Sequence, residues 1–298
     1  MKIVLATTFR DFKGNDNDRI QYLFLEKLKE QTFGDFILAV TTFGEKRVAD
    51  VVREQLGARV VVKDVERPNE FRFSLTDVVL TGMDVARQVQ EECILIWSTC
   101  DVMLKRDFFQ NLIENFKPGI SGIVHPNILY NTVEEMKSDR GTIESLNDGI
   151  DLLFFDSQVL EAARNEIEEY RFLGWGVFEW FMALIALKYA SSRINLLGIT
   201  SIGKIANNRG LTNESLRYFG TCARYNKKVL ERYIQDTGVV RRFDDAIGLN
   251  CHLRYDLMVP VPGYDDMLAD ARKHHFRNWL QGKIRGLRCR LYKFFRWR

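Results

Sequence analysis

The chain has 298 residues, 46% of them hydrophobic and 12% aromatic, with a net charge of +3. That is enough apolar material for a large buried core and rules out a disordered protein. Its longest apolar runs, of which FMALIAL at 181–187 is typical, fall well short of the roughly 20 residues that cross a bilayer.

Taken in chain order, KIVLATTF (2–9) is a short apolar run after a single Lys2, with no small-residue cleavage site, and reads as a first strand and not a signal peptide. A polar loop leads to a helix in which Ile20, Leu23, Phe24 and Leu28 recur at helical spacing, with Asp18 as its N-cap. DFILAVTTFG (35–44) is the second strand, and 45–56 a helix with Val48, Val51, Val52 and Leu56 on one face, stopped by Gly57. ARVVVKD is the third strand, and 74–90 a helix that puts Leu75, Val78, Val79, Met83 and Ala86 on one face. The fourth strand, ILIWSTCDVML (94–104), breaks on a polar cluster before resuming. A helix from Asp107, with Phe109, Leu112, Ile113 and Phe116 inward, ends at Pro118-Gly119 ahead of a strand ISGIV. Residues 127–149 read as an irregular polar insertion or mobile loop, IDLLFF (150–155) as a strand, RINLLGI (193–199) as an edge strand, and the chain from about 213 as helical. Strands alternating with helices of this length predict an α/β fold with a mostly parallel sheet flanked by helices, followed by a C-terminal helical region.

The chemistry is narrowed by what is missing. No G-x-G-x-x-G or G-x-x-x-x-G-K-[ST] is present, which argues against a dinucleotide oxidoreductase or a P-loop enzyme, and there is no G-x-S-x-G and no H-E-x-x-H. The histidines at 125, 252, 274 and 275 form no metal-ligand pattern. The cysteines at 93, 100, 222, 251 and 289 are odd in number and include no C-x-x-C pair, so a reduced, cytosolic compartment is expected, without a disulfide framework or a cysteine zinc site. Carboxylate chemistry remains. Ligands of open α/β sheets bind beyond the carboxyl ends of the strands, where strand order reverses, and Asp101 lies at such an end, placed to meet a ligand or a metal. The alternative is that it caps the next turn.

The succession of EQTFGDFILAVTTFGE, LTDVVLTGMDVAR and ILIWSTCDVML, with GWGVFEW at 174–180, resembles the nucleotide-diphospho-sugar transferases of GT-A fold, and among them the family 2-like bacterial polysaccharide glycosyltransferases. The resemblance covers about residues 1–200. It implies a Rossmann-like sheet and a nucleotide-sugar donor. It also implies a divalent metal, Mn²⁺ or Mg²⁺, held against the diphosphate by an Asp-x-Asp motif. Here Asp101 matches the second aspartate and Thr99 replaces the first, with His252 as a candidate third ligand or a structural histidine. Thr7, Phe9 and Arg10 match the nucleotide contacts after the first strand, although Arg10 reads equally as a solvated loop residue, and Thr41 sits where many relatives carry a base-reading aspartate. Glu179 takes the position of the catalytic base of inverting members. Trp175 and Trp180 lie beside it as acceptor platforms, aromatic faces being suited to sugar rings and their burial raising the pKa of a neighbouring carboxyl. The competing structural roles are a dipole-favoured helix-start carboxylate for Glu179 and a core position for Trp175.

The charge is uneven. Residues 272–298 hold ten Lys or Arg and no acidic residue, leaving 33 basic against 40 acidic residues in the rest of the chain. As a helix this tail would carry a stripe including Phe276 and Leu280, flanked by Trp279 and Trp297, with Arg288 among the basic residues around it. That is the pattern of a helix lying on anionic lipid; packing on the body or on a partner is the alternative, and the acidic body disfavours nucleic acid. The organisation expected is a nucleotide-sugar and acceptor domain at 1–200, a helical extension at 201–267 and a membrane-association tail at 268–298. The function expected is transfer of a sugar from a nucleotide-sugar to a lipid-linked glycan at the cytoplasmic face of the cell membrane. The rivals are a non-catalytic nucleotide- or sugar-binding scaffold and a nucleotidyltransferase, which would need a glycine-rich basic loop that TTFRDFKGND does not supply.

Overall fold

A computed structural model describes residues 1–14, 16–68, 71–89, 91–124, 126–143, 151–174, 176–195, 202–205 and 213–241. The chain opens as two βαβ units and a return crossover: β1 (Lys2–Thr7), α1 (Asp16–Lys29), β2 (Phe36–Thr42), α2 (Val48–Leu56), β3 (Val60–Asp64), α3 (Leu75–Gln88) and β4 (Cys93–Ser98). Next come β5 (Val102–Leu104), α4 (Phe108–Glu114), β6 (Ile120–Val124), β7 (Pro126–Tyr130), α5 (Val133–Lys137), β8 (Thr142–Ile143) and β9 (Leu152–Asp156). The remaining elements are α6 (Ser157–Ala162), α7 (Arg164–Glu169), α8 (Phe178–Tyr189), β10 (Ser192–Asn195), β11 (Ile202–Ile205) and α9 (Asn213–Thr237).

Seven strands form the main sheet in the order β10-β6-β9-β4-β1-β2-β3, and all are parallel except β9, which runs antiparallel between β4 and β6. The chain winds outward from β1 to β3 and then crosses back to lay β4 on the other side of β1, so strand order reverses between β1 and β4. Alternate side chains of the central strands feed two cores. Ile3, Leu5, Leu38, Ile94, Ile96 and Phe154 face α1, α2 and α4. Val4, Ala6, Ala39, Leu95, Trp97 and Phe155 face α3, α6, α7, α8 and α9. Burial on both faces is why these strands are continuous apolar runs and not alternating ones. The helices follow the same logic. The four residues expected on the inner face of α2 are all buried. α3 buries its expected five and is capped by Ser74, whose hydroxyl accepts from Asp77 N–H. α8 is apolar almost all round because it is covered on several sides.

Four expectations are corrected. The stretch from 127, expected to be irregular, holds β7, α5 and β8, and β5-β11-β7-β8 make a second, four-stranded sheet. The segment reads as polar because α5 and the turns around it carry its exposed residues, whereas Ile128 and Tyr130 of β7 and Met136 of α5 are buried in a small core with Leu23 and Met103. The run 94–104 is two strands: the chain leaves the main sheet at Thr99 and re-enters pairing as β5 of the second sheet. Asp18 is not the N-cap of α1 but lies inside its first turn, where its carboxylate accepts from Gly14 N–H. α4 stops at Glu114, four residues before Pro118, with the Asn115 amide bonded back to the Asn111 carbonyl. β10 is an edge strand as expected, over Ser192–Asn195.

Candidate active site

Strand order reverses between β1 and β4, and the carboxyl ends of the strands on either side of such a reversal are where an open α/β sheet offers a crevice with backbone ends and polar side chains to a ligand. Thr7, fully buried, closes its floor by donating from Oγ1 to the Ser98 carbonyl at 2.7 Å. The loop after β1 is gripped from α1: Gln21 accepts from Arg10 N–H at 2.7 Å and donates to the Arg10 carbonyl at 3.2 Å, which leaves the Arg10 side chain exposed. Phe9 turns inward, packed on Phe12 and Phe24 with ring centroids 6.0 Å away. At the end of β2, Thr41 is fully buried and its Oγ1 has no hydrogen-bond partner among the described residues, while Thr42 donates to Asp64 at 2.6 Å.

Three chain segments meet at the tip of β4. Because β9 runs antiparallel, its start lies beside the end of β4, and Thr99 N–H donates to the Asp151 carbonyl at 3.0 Å. β11 lies against β5 with Lys204 opposite Val102, the residue after Asp101. Lys204 Nζ donates to Asp151 Oδ1 at 2.7 Å and stands 4.0 Å from Asp101 Oδ2. The Asp151 side chain is 8% exposed, that of Lys204 18% and that of Asp101 40%. Asp101 is split between two environments: Oδ2 faces Lys204, whereas Oδ1 is buried and, like Thr99 Oγ1, has no hydrogen-bond partner among the described residues. A buried carboxylate oxygen without a donor costs about 1–3 kcal/mol or more, which is recovered when a cation or a hydroxyl group arrives.

Glu179 is the second residue of α8 and half-buried. Phe178 packs on Trp97, the penultimate residue of β4, with centroids 5.4 Å apart, so the first turn of α8 abuts the carboxyl end of that strand. The approach to α8 is tightly held. Gly174 N–H donates to the Phe73 carbonyl at 3.0 Å, and a Cβ on Gly174 would come within 2.5 Å of the Phe73 ring. Val177, β-branched, sits in the left-handed region at φ 59°, a conformation that costs about 1–3 kcal/mol and persists only when its surroundings impose it. Asn226 of α9 imposes it: completely buried, it accepts from Leu173 N–H at 2.9 Å and donates to the carbonyls of Leu173 at 2.8 Å and Gly176 at 2.9 Å. Trp180 is partly buried against the core on the α8 face.

The structure thus brings Thr7, Thr99 and Asp101 to one end of the sheet, with the first turn of α8, and adds Asp151, Lys204 and Asn226, which sequence reasoning missed. Trp175, His252 and the tail residues Phe276, Trp279, Leu280, Arg288 and Trp297 lie outside the described residues. No helix among the described residues is long and apolar enough to cross a membrane. Nor do the described residues contain a group of three or more His, Cys, Asp or Glu that could hold a metal ion. What Asp101 and Thr99 offer is narrower, two hard oxygen atoms lacking partners, which fits a divalent cation shared with substrate phosphates and not one caged by protein alone.

Comparison with protein-family models finds no match, and comparison with curated proteins finds none. Among solved structures the chain is similar to S. aureus TarS 1–349 in complex with UDP, at 13% identity over 94% of this chain and 89% of that one, with a TM-score of 0.39. It is also similar to the mannosyltransferase PcManGT from Pyrobaculum calidifontis in complex with GDP-Man and Mn²⁺, at 12% identity over 92% and 73% of the two chains, with a TM-score of 0.49. A cytidylyltransferase from Leptospira borgpetersenii matches at 15% identity over 55% of this chain and 63% of that one, with a TM-score of 0.34. At such low identity and overlap, the functional reading rests on the site's own residues.

Proposed function

We propose that this chain is a glycosyltransferase that binds a nucleotide-sugar donor in the crevice between β1 and β4 and transfers its sugar to a lipid-linked saccharide at the inner face of the cell membrane. The observation that carries the reading is Asp101: a carboxylate at the point where strand order reverses, with one oxygen buried and lacking a partner among the described residues and the other beside an ammonium group. A site of that kind is complete only when something positive or hydroxylated enters it.

In this reading Asp101 and Thr99 would hold a divalent cation near the donor's diphosphate, or Asp101 would take the ribose hydroxyls. The cation, when bound, supplies charge stabilisation to the departing diphosphate. The chain's own residues do the rest. Thr7, Arg10 and Thr41 line the nucleotide side. Glu179 accepts the proton of the acceptor hydroxyl as that oxygen forms its bond to the sugar carbon and the bond to the diphosphate breaks, so that configuration is inverted. Trp175 and Trp180 flank the acceptor. The tail at 268–298, with Phe276, Trp279, Leu280, Arg288 and Trp297, lies on anionic lipid, each basic residue near the surface contributing about 1 kcal/mol, and so keeps the enzyme where a lipid-linked acceptor is found.

The test is a thermal-shift titration of the full chain and of Asp101→Ala with UDP, GDP, dTDP and CMP, each with and without Mn²⁺ or Mg²⁺. One nucleotide is expected to stabilise the parent protein and to lose most of that effect in Asp101→Ala. Absence of any shift in the parent would sink the transferase reading and favour a non-catalytic scaffold.

A further inference from the structure

The geometry points to Lys204 as a diphosphate-binding residue, the chain's own positive charge at the leaving group. The inference rests on the nucleotide-sugar reading above and names a residue which that reading does not require.

Lys204 is fixed more firmly than a surface lysine. Its backbone is paired on both sides, antiparallel to Val102 of β5 and parallel to Leu129 of β7. Its ammonium is tied at 2.7 Å to Asp151, whose carboxylate is almost completely buried and whose carbonyl in turn holds Thr99 N–H. The lysine is thereby presented 4.0 Å from Asp101, within contact range of any anion that Asp101 and its cation hold.

Stability alone gives little reason for this arrangement, since a buried ion pair is often no better than a well-packed apolar pair of the same volume. Charge balance gives a reason. Asp101 cancels one charge of a divalent cation held there, and the charge left over is smaller than that of a diphosphate. Lys204 restores one positive charge to the set, and an ammonium aimed at a transferring or departing phosphoryl group is a recurrent way to stabilise it. Lys204 also opposes the cation when no nucleotide is present, because its ammonium stands 4.0 Å from the carboxylate that would hold it. Its removal therefore has two effects of opposite sign: weaker binding of the diphosphate and tighter binding of the bare cation.

The experiment compares the full-length parent with Lys204→Met and Lys204→Gln. Affinity for UDP and GDP is measured by calorimetry at fixed Mn²⁺, affinity for uridine and guanosine by ligand-observed NMR, and affinity for Mn²⁺ alone by electron paramagnetic resonance. Lys204→Gln keeps a donor to Asp151 and serves if Lys204→Met does not fold. The expected result is a loss of about tenfold or more in affinity for the nucleoside diphosphate, the size of one charge-assisted hydrogen bond. Nucleoside affinity is expected to stay unchanged and Mn²⁺ to bind more tightly. Unchanged diphosphate affinity, a parallel loss of diphosphate and nucleoside, or Mn²⁺ binding that does not tighten would overturn the role of Lys204 while leaving the transferase reading in place. A parent protein that none of UDP, GDP, dTDP and CMP stabilises in the titration above would remove both.

Discussion

The two sheets of this molecule are built from different material. In the seven-stranded sheet β4 is buried along its whole length and β1 all but its first residue, and their side chains enter the two large cores. The four-stranded sheet joins one of those cores through Val102, Leu104 and Ile202 and adds a small core of its own, with Leu23, Met103, Ile128, Tyr130 and Met136. Yet the site needs both: Asp101 lies in the turn that leads from β4 of the main sheet into β5 of the small one, and β11 of the small sheet delivers Lys204 to it. Rigidity at the site comes from the large sheet, and part of its charge comes from the small one.

If the large sheet is the stabilising half, Phe154→Ala should have the greatest effect. Phe154 is completely buried between β4 and β6, and its truncation is expected to cost about 3–5 kcal/mol in denaturant unfolding. Met136→Ala, equally buried but in the small core, should cost about 2 kcal/mol, the low end for such changes, because thin surroundings relax more easily. Equal losses at the two positions would break the comparison.

Asn226→Ala tests whether α9 belongs to the large half. It strands the Leu173 N–H and the carbonyls of Leu173 and Gly176, and about 2–3 kcal/mol should be lost by the same measurement. Smaller is the acid dependence of the α7–α8–α9 contact. Burial pushes the Glu166 carboxyl up, but hydrogen bonds from Lys188, Tyr233 and Tyr189 outweigh it and hold the group below its ordinary 4.5. A carboxyl depressed in the folded state contributes stability that is present above its unfolded value and is lost as pH falls through the folded one. Urea midpoints should therefore decline below about pH 4.5, less steeply in Glu166→Gln than in the parent. Least in size is Val177→Gly, which relieves the left-handed valine at some cost in chain entropy and should raise stability by about 1 kcal/mol at most.

The same contrast decides what could be read from the sequence. Helix faces such as Val48, Val51, Val52 and Leu56 were legible because one side of α2 meets a core and the other meets water. The position of Asp101 at a strand end was legible because a buried run stops there on polar residues. The direction of β9 was not: LLFFD is buried on both faces, and such a run carries no mark of parallel or antiparallel pairing. With that direction hidden, Asp151 could not be set beside Thr99. Lys204 was hidden for another reason, since IGKI is a four-residue strand of a small sheet and its lysine looks like any solvated residue until β5 is laid against it. Asn226 stood unnoticed inside a helical pattern, although a short amide on the stripe of Cys222, Leu230 and Tyr233 was the one polar residue on a buried face and a signal that backbone groups lay opposite.

The central claim is that the carboxyl ends of β1 and β4 form a nucleotide seat, and hydrogen–deuterium exchange of the full chain with and without UDP, GDP, dTDP or CMP in the presence of Mn²⁺ tests it most directly. The account predicts added protection in residues 7–12 and 98–102, diminished in Asp101→Ala. Protection confined to other segments, or none with any of the four nucleotides, would contradict it.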